Sequence, residues 1–259
     1  MPALILMYHD VSENPTTVTP EHRPYVLDTS DFRRQMGFAA STGFRVLTVS
    51  EWCAPPRPPR ALVLTFDDGH VSNHDVALPI LLEHRLKATF FIVAGRIGRG
   101  ETMGWKQLRT LHAAGMEIGS HTMTHRPPST LDDSDLRYEL AESRRVLEDG
   151  LGAPVTSISS PTGFFNPRMR GIAREVGYRA LCFGRVGLAR EDGDPFSLNR
   201  IAVKRSIRDG QFAALLRFDG GTIRRLRLRQ WVRELARKSL GVSGYRRVRK
   251  VLVRKGSLA

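Results

Sequence analysis

The chain has only two cysteines, Cys53 and Cys182. They stand far apart without metal-type spacing, which argues against a disulfide framework or a thiolate zinc site and suits a reducing compartment. No apolar run is long enough to span a bilayer. The opening stretch MPALILMYHD has no basic residue ahead of its short apolar run. It does not read as a secretory signal, and the expectation is a cytoplasmic protein. Histidine is absent after position 125. Acid is scarce, with 26 Asp and Glu against 40 Lys and Arg for a formal net charge of +14.

That surplus is uneven. From 223 to 255 there are thirteen Lys or Arg and a single acid, Glu234, so the remainder is nearly neutral. Within this segment Leu228, Trp231, Val232 and Leu235 fall at i, i+3, i+4 and i+7, and Tyr245, Val248, Val251 and Leu252 form a second stripe. Basic amphipathic helices of this kind suit an anionic membrane surface, here the inner membrane face. The other reading is that the stripes pack on the rest of the protein. Nucleic acid ranks below both, because no reading motif accompanies the charge. The chain thus divides into a folded domain over 1–219 and a basic amphipathic tail over 220–259.

What the chain does have is alternation. Its 259 residues, 41% of them hydrophobic, suit one α/β barrel. Apolar runs predict strands at Ala3 to Tyr8, Arg45 to Val49, Ala61 to Phe66, Ala88 to Val93, Met116 to Ser120, Val155 to Ser159 and Arg179 to Phe183. Helical patterns lie between them at Asp31 to Ser41, Asp75 to His84, Trp105 to Ala114, Ser134 to Asp149 and Pro167 to Val176. Ser30 and Ser134 are the predicted N-caps, and Gly43, Gly115, Gly150 and Gly177 the predicted stops.

Two of these strands carry polar chemistry at their C-terminal ends. ALILMYHD (3–10) and ALVLTFDD (61–68) have the same design, and in parallel sheets that edge builds active sites. His9 and Asp67 are therefore expected to face one pocket. Adjacent carboxylates at Asp67 and Asp68 resist burial unless water, a cation or a helix start compensates. A helix cap and a Gly69 turn would account for them equally well. In SHTMTH (120–125), His121 and His125 are four apart, so one helical turn would place both imidazoles on one side. Alone, the pair reads as structural histidine. Combined with one aspartate it supplies three protein ligands and leaves open positions, as catalytic rather than structural metal sites do. The second aspartate is then free to take a proton from water.

TFDDG (65–69) followed by SHTMTH, with MYHD near the start, GWKQLRTLHAAGMEIGSHT before the histidines and PTG at 161–163, resembles the polysaccharide deacetylases with a NodB homology domain, carbohydrate esterase family 4. The likeness covers roughly 3–203. It implies a distorted (β/α) barrel and metal-dependent hydrolysis of the N-acetyl group of an amino sugar, in a polysaccharide or lipid-linked glycan precursor such as those of exopolysaccharide biosynthesis. It also implies that Asp67 is the general base, that Asp68, His121 and His125 bind a divalent metal (zinc, with cobalt or nickel as alternatives), and that the Thr162 backbone N–H stabilises the oxyanion.

The chain departs from the family pattern twice. Ser159 stands where the third motif has an arginine that orients the base, and the late histidine acid is missing. Members similar to the poly-N-acetylglucosamine deacetylases begin with a YHD-like strand whose histidine serves as the acid, and His9 matches it. His70 and His74 read either as pocket-rim residues or as exposed residues at a helix start, Trp105 either as a ring that stacks on a sugar or as core packing, and Asp194 and Arg200 are further site candidates. Two alternatives stay open: removal of a formyl or other small acyl group from a lipid-linked amino sugar, and a degenerate glycan-binding protein.

Overall fold

The computed structural model describes residues 2–13, 22–163 and 165–235. The second stripe, Tyr245 to Leu252, lies outside the described residues. Its strands are β1 (Leu4–Tyr8), β2 (Asp10–Ser12), β3 (Val26–Asp28), β4 (Val46–Leu47), β5 (Leu62–Phe66), β6 (Thr89–Ile92), β7 (Glu117–Ser120), β8 (Ser157–Ser159), β9 (Ala180–Phe183), β10 (Leu198–Asn199) and β11 (Ile201–Ala202). Its α-helices are α1 (Thr29–Ser41), α2 (Val49–Cys53), α3 (Leu78–Glu83), α4 (Trp105–Ala113), α5 (Asp133–Leu151), α6 (Pro167–Glu175) and α7 (Asp209–Leu216). A further helix runs over 220–235.

The main sheet is parallel throughout, in the order β10-β9-β8-β7-β6-β5-β1-β11, with β4 added beside β5. The two ends of that path, β10 and β11, are separated in the chain by one residue, Arg200. β10 pairs with β9 and β11 with β1, so this broken strand nearly closes a distorted (β/α) barrel. Helices cover the outside, which is why β1 and β5 are buried along their whole length and read as unbroken apolar runs.

Alternation along the strands sorts the side chains. Tyr8, Phe66 and Phe90 stack across β1, β5 and β6 at 5.3 and 4.7 Å, beneath Phe32 of α1. Ile5, Val63, Phe91 and Cys182 form a second cluster within the barrel. With a period of two, the face that holds Ile5 and Val63 continues to His9 and Asp67.

Local signals differ from expectation in a few places. Asp28 and Asp132 cap α1 and α5, while Ser30 and Ser134 donate their hydroxyls to those same carboxylates. The carboxylate two residues upstream is the better placed acceptor for the first free amides. Gly150 lies inside α5, which stops at Gly152 with φ 67. A Cβ on Gly150 would stand 2.1 Å from the Trp105 ring, so Trp105 packs on α5 and is no sugar platform.

Candidate active site

The site occupies the C-terminal ends of β1, β5, β7 and β8. Asp67 follows β5 and is 3% exposed, with its amide donating to Tyr8 O at 3.0 Å. Asp68 turns sharply at φ 75. Its Oδ1 is buried, accepts no hydrogen bond, and lies 3.6 Å from His121 Nε2 and 3.3 Å from His125 Nε2.

The His121 to His125 segment is a loop rather than the expected helical turn. The four-residue spacing works here because Thr122 (φ 66) and His125 (φ 65) adopt left-handed backbone conformations that bring the rings to 4.9 Å. Such strain persists only where surrounding contacts impose it. Those contacts are visible: Ala94 and Gly95 amides donate to Thr122 O and Met123 O, and Ser120 Oγ accepts from Thr122 N. Glu139 of α5, 3% exposed, accepts from Met123 N at 2.9 Å, Thr124 N at 2.8 Å and the Thr124 hydroxyl. Sequence reading missed Glu139, and an acid on the apolar face of α5 was the available signal. Glu139→Ala takes the acceptor from the Met123 and Thr124 amides that shape this loop, and outer partners of this kind typically matter about 10- to 100-fold in metal affinity. We expect a loss of that size when the variant is titrated with zinc against a chelating dye.

The donor set fits a cation. One atom each from Asp68, His121 and His125 lies within 4.8 Å of the others. His121 Nδ1 is 3.0 Å from Ser159 O, and because a carbonyl only accepts, Nδ1 carries the proton of that contact and Nε2 is the ring nitrogen turned toward Asp68. Burial and the neighbouring His121 push the His125 imidazole down to about 4, so that ring is neutral and able to ligate near pH 7. The unpartnered Asp68 Oδ1 is the remaining sign of a missing positive charge.

Arg200 accounts for the missing third-motif arginine. It sits at the break between β10 and β11, fully buried, with Nη1 donating to Asp67 Oδ1 and Nη2 to Asp67 Oδ2, both at 2.8 Å. Nη2 also donates to Ser159 Oγ at 2.6 Å and Nη1 to Thr65 Oγ1 at 3.1 Å. Burial alone would raise the Asp67 carboxyl, but Arg200 and then His121 outweigh it and hold the group well below the usual carboxylate range. Asp194 does not join this cluster. It pairs with Arg174 at 2.6 Å and accepts from Phe196 N.

Breaking this buried pair from one side should be costly. Arg200→Met leaves Asp67 charged and unpaired, a change that typically destabilises by about 3–5 kcal/mol. Adding Asp67→Asn should return much of that loss, since neither partner then carries an uncompensated charge. Urea unfolding of the two single variants and the double variant measures the coupling.

His9 lies at the inner end of β1. Its Nδ1 is buried without a hydrogen-bond partner, and its ring packs on Tyr25 at 4.8 Å. Burial lowers its imidazole, against the opposing charges of Asp68 and Asp67. The parallel pair β2 and β3 holds Tyr25 in place, since the Tyr25 turn leads directly into β3. Thr162 is exposed at φ 61 on the loop after β8, where Gly163 packs against Gly184 too closely for any side chain. His70 Nε2 stands 4.0 Å from Asp68 at the rim, and half-buried His74 pairs with Asp75 in the π-helical turn Asn73–Ala77.

The polysaccharide deacetylase family profile matches residues 54–181, which include both DDG and SHTMTH. YxkH of Bacillus subtilis, named as a polysaccharide deacetylase, is 26% identical over 217 residues, 82% of this chain and 75% of its own. A peptidoglycan-N-acetylglucosamine deacetylase of Bacillus cereus is 28% identical over 49% of this chain and 57% of its own. Among solved structures, the Streptococcus pyogenes deacetylase PplD, in complex with acetate, superposes with a TM-score of 0.74 at 24% identity, over 84% of this chain and 97% of that one. IcaB from Ammonifex degensii gives 0.69 at 22% over 84% and 96%. The fold agrees with the solved structures, and residues 54–181, which hold both motifs, form a polysaccharide deacetylase domain.

Proposed function

We propose that the protein is a metal-dependent hydrolase that removes the N-acetyl group from an amino sugar in a glycan. One observation carries this reading: an ionised aspartate locked by Arg200 stands beside a three-ligand Asp-His-His set. Asp68, His121 and His125 would hold a divalent cation, zinc being the best match to two imidazoles and a carboxylate, and that cation would supply Lewis-acid activation of water and of the acyl carbonyl.

The chain's own residues supply the rest. Asp67 takes the proton of the attacking water. Both its oxygens accept from Arg200, yet a carboxylate has about four acceptor sites, so a free lone pair remains. Arg200 fixes its orientation and keeps it ionised. The Thr162 N–H is assigned to the oxyanion that develops on the acyl carbonyl. His9 is assigned to protonate the departing amine, the role given to the strand-end histidine of the poly-N-acetylglucosamine deacetylase-like members.

The test is acetate release from N-acetylglucosamine oligomers, assayed enzymatically before and after chelation and again after zinc is returned. Release that stops on chelation and resumes with metal supports the assignment. Glycan binding without release, or release of formate only from an N-formyl substrate, would replace it.

A further inference from the structure

The helix over 220–235 bears on where the enzyme meets its substrate. Its inner face is anchored by buried Ile223, by Leu226 packed on the core, and by Gln230. Gln230 accepts from Val186 N at 2.7 Å and donates to Gly184 O at 3.0 Å, while Arg227 Nε donates to Val186 O. Residues 184–186 directly follow β9, and Gly184 N donates to Gly163 O at 2.8 Å, one residue from Thr162. The helix is therefore fastened to the catalytic rim, not to the opposite end of the barrel.

Its outward face carries an apolar stripe, headed by Arg224 at the N-terminal end. Leu228 is 59% exposed, Trp231 58% and Val232 51%, a concentration of large apolar side chains that single surface hydrophobes do not produce. At about 100° per residue these side chains form one stripe, with Arg225, Arg229 and Arg233 along one edge and Arg227 along the other. Among the described residues no acidic side chain forms an ion pair with any of these four arginines. Arg225 and Arg229 also line a groove of about 310 Å³ against α7 together with Thr222 and Gln211, where an anionic headgroup has donors on several sides. Beside Thr162 the rim exposes Phe165 between Arg170 and Arg185, whose guanidinium carbons lie 5.7 and 5.5 Å from its ring.

We infer that this face docks on an anionic phospholipid bilayer and so brings the catalytic rim to the lipid surface. The charge decides the occupant. The same chain contributes eight further Lys or Arg and no acid over 236–255, so its own tail or a second copy would bring like charge to the stripe, whereas acidic headgroups neutralise it. The consequence for substrate rests on the deacetylase reading: the acetylated amino sugar is one held at a membrane, as in a lipid-linked glycan. No helix among the described residues is long and apolar enough to cross the bilayer.

The test is sedimentation of the full chain with vesicles of equal parts phosphatidylglycerol and phosphatidylcholine, or of phosphatidylcholine alone. At low salt, binding to the mixed vesicles should exceed binding to neutral ones by about tenfold or more, and added salt should weaken it. Trp231→Glu and Leu228→Glu should each lower it by about tenfold, and Arg225→Ala with Arg229→Ala by about fivefold per charge. All these side chains lie outside the catalytic cluster, so acetate release from soluble oligomers should not change. Absence of binding at low salt would overturn the inference, as would equal binding by the parent and Trp231→Glu. A parent dimer that Trp231→Glu dissociates, in light scattering without vesicles, would assign the face to a second copy instead. Failure of acetate release from soluble oligomers sinks the deacetylase reading and leaves the vesicle result standing.

Discussion

Asp67→Asn is expected to keep a full complement of metal and to lose about 10²- to 10⁴-fold in turnover, the range that a positioned proton-transfer group typically contributes. The amide is nearly isosteric and sits among donors already in place. Its oxygen can still accept from Arg200, while its NH₂ meets the second guanidinium nitrogen and cannot take a proton. Asp68→Ala should behave in the opposite order, losing metal first and turnover as a result, because Asp68 Oδ1 is the carboxylate oxygen facing both histidines. Metal content by atomic absorption, paired with acetate release at saturating zinc, separates the two aspartates. Equal metal loss in both variants would mean that their roles are not divided. The expected contrast is large because the two carboxylates have different partners: Asp67 is paired with an arginine of the chain, whereas Asp68 Oδ1 faces two histidines.

Much of this arrangement was legible in the sequence, and the reason is physical. Parallel strands buried on both faces are written as apolar runs, so each predicted strand from Ala3 to Phe183 has a counterpart within a few residues. Chemistry placed at the ends of such runs is equally visible, which is how Asp67, Asp68, His121 and His125 stood out. What was not legible depends on register or on distant acceptors. β2, β3, β10 and β11 are two or three residues long, too short for a periodic signal. Arg200 reaches Asp67 because β11 lies in register with β1, Leu6 opposite Ile201, a pairing across nearly the whole chain that no spacing reveals. The histidine spacing suggested a helix, and the loop that replaces it exists because Glu139 and Thr122 satisfy its amides.

His9→Ala is expected to keep its fold and its metal and to lose turnover on the same scale as Asp67→Asn, about 10²- to 10⁴-fold. The departing amine must gain a proton when the tetrahedral species collapses, and the chain has no histidine after position 125 to provide it. His70 is the other histidine near the cluster, yet it stands at the rim and its ring faces Asp68 at 4.0 Å, whereas His9 is on the inner strand face that continues to Asp67. The two differ in solvent access too, since His9 Nδ1 is buried without a partner. A pH profile identifies the acid. Burial lowers the His9 imidazole, so the alkaline limb of kcat/KM that reports its protonated form should lie below the ordinary histidine value near 6.5, and in His9→Ala that limb should disappear. His9→Gln, which can donate a hydrogen bond but not a proton, should lose the limb as well while holding Tyr25 in place. An alkaline limb that survives in both variants but vanishes in His70→Ala would move the acid from the strand end to the rim.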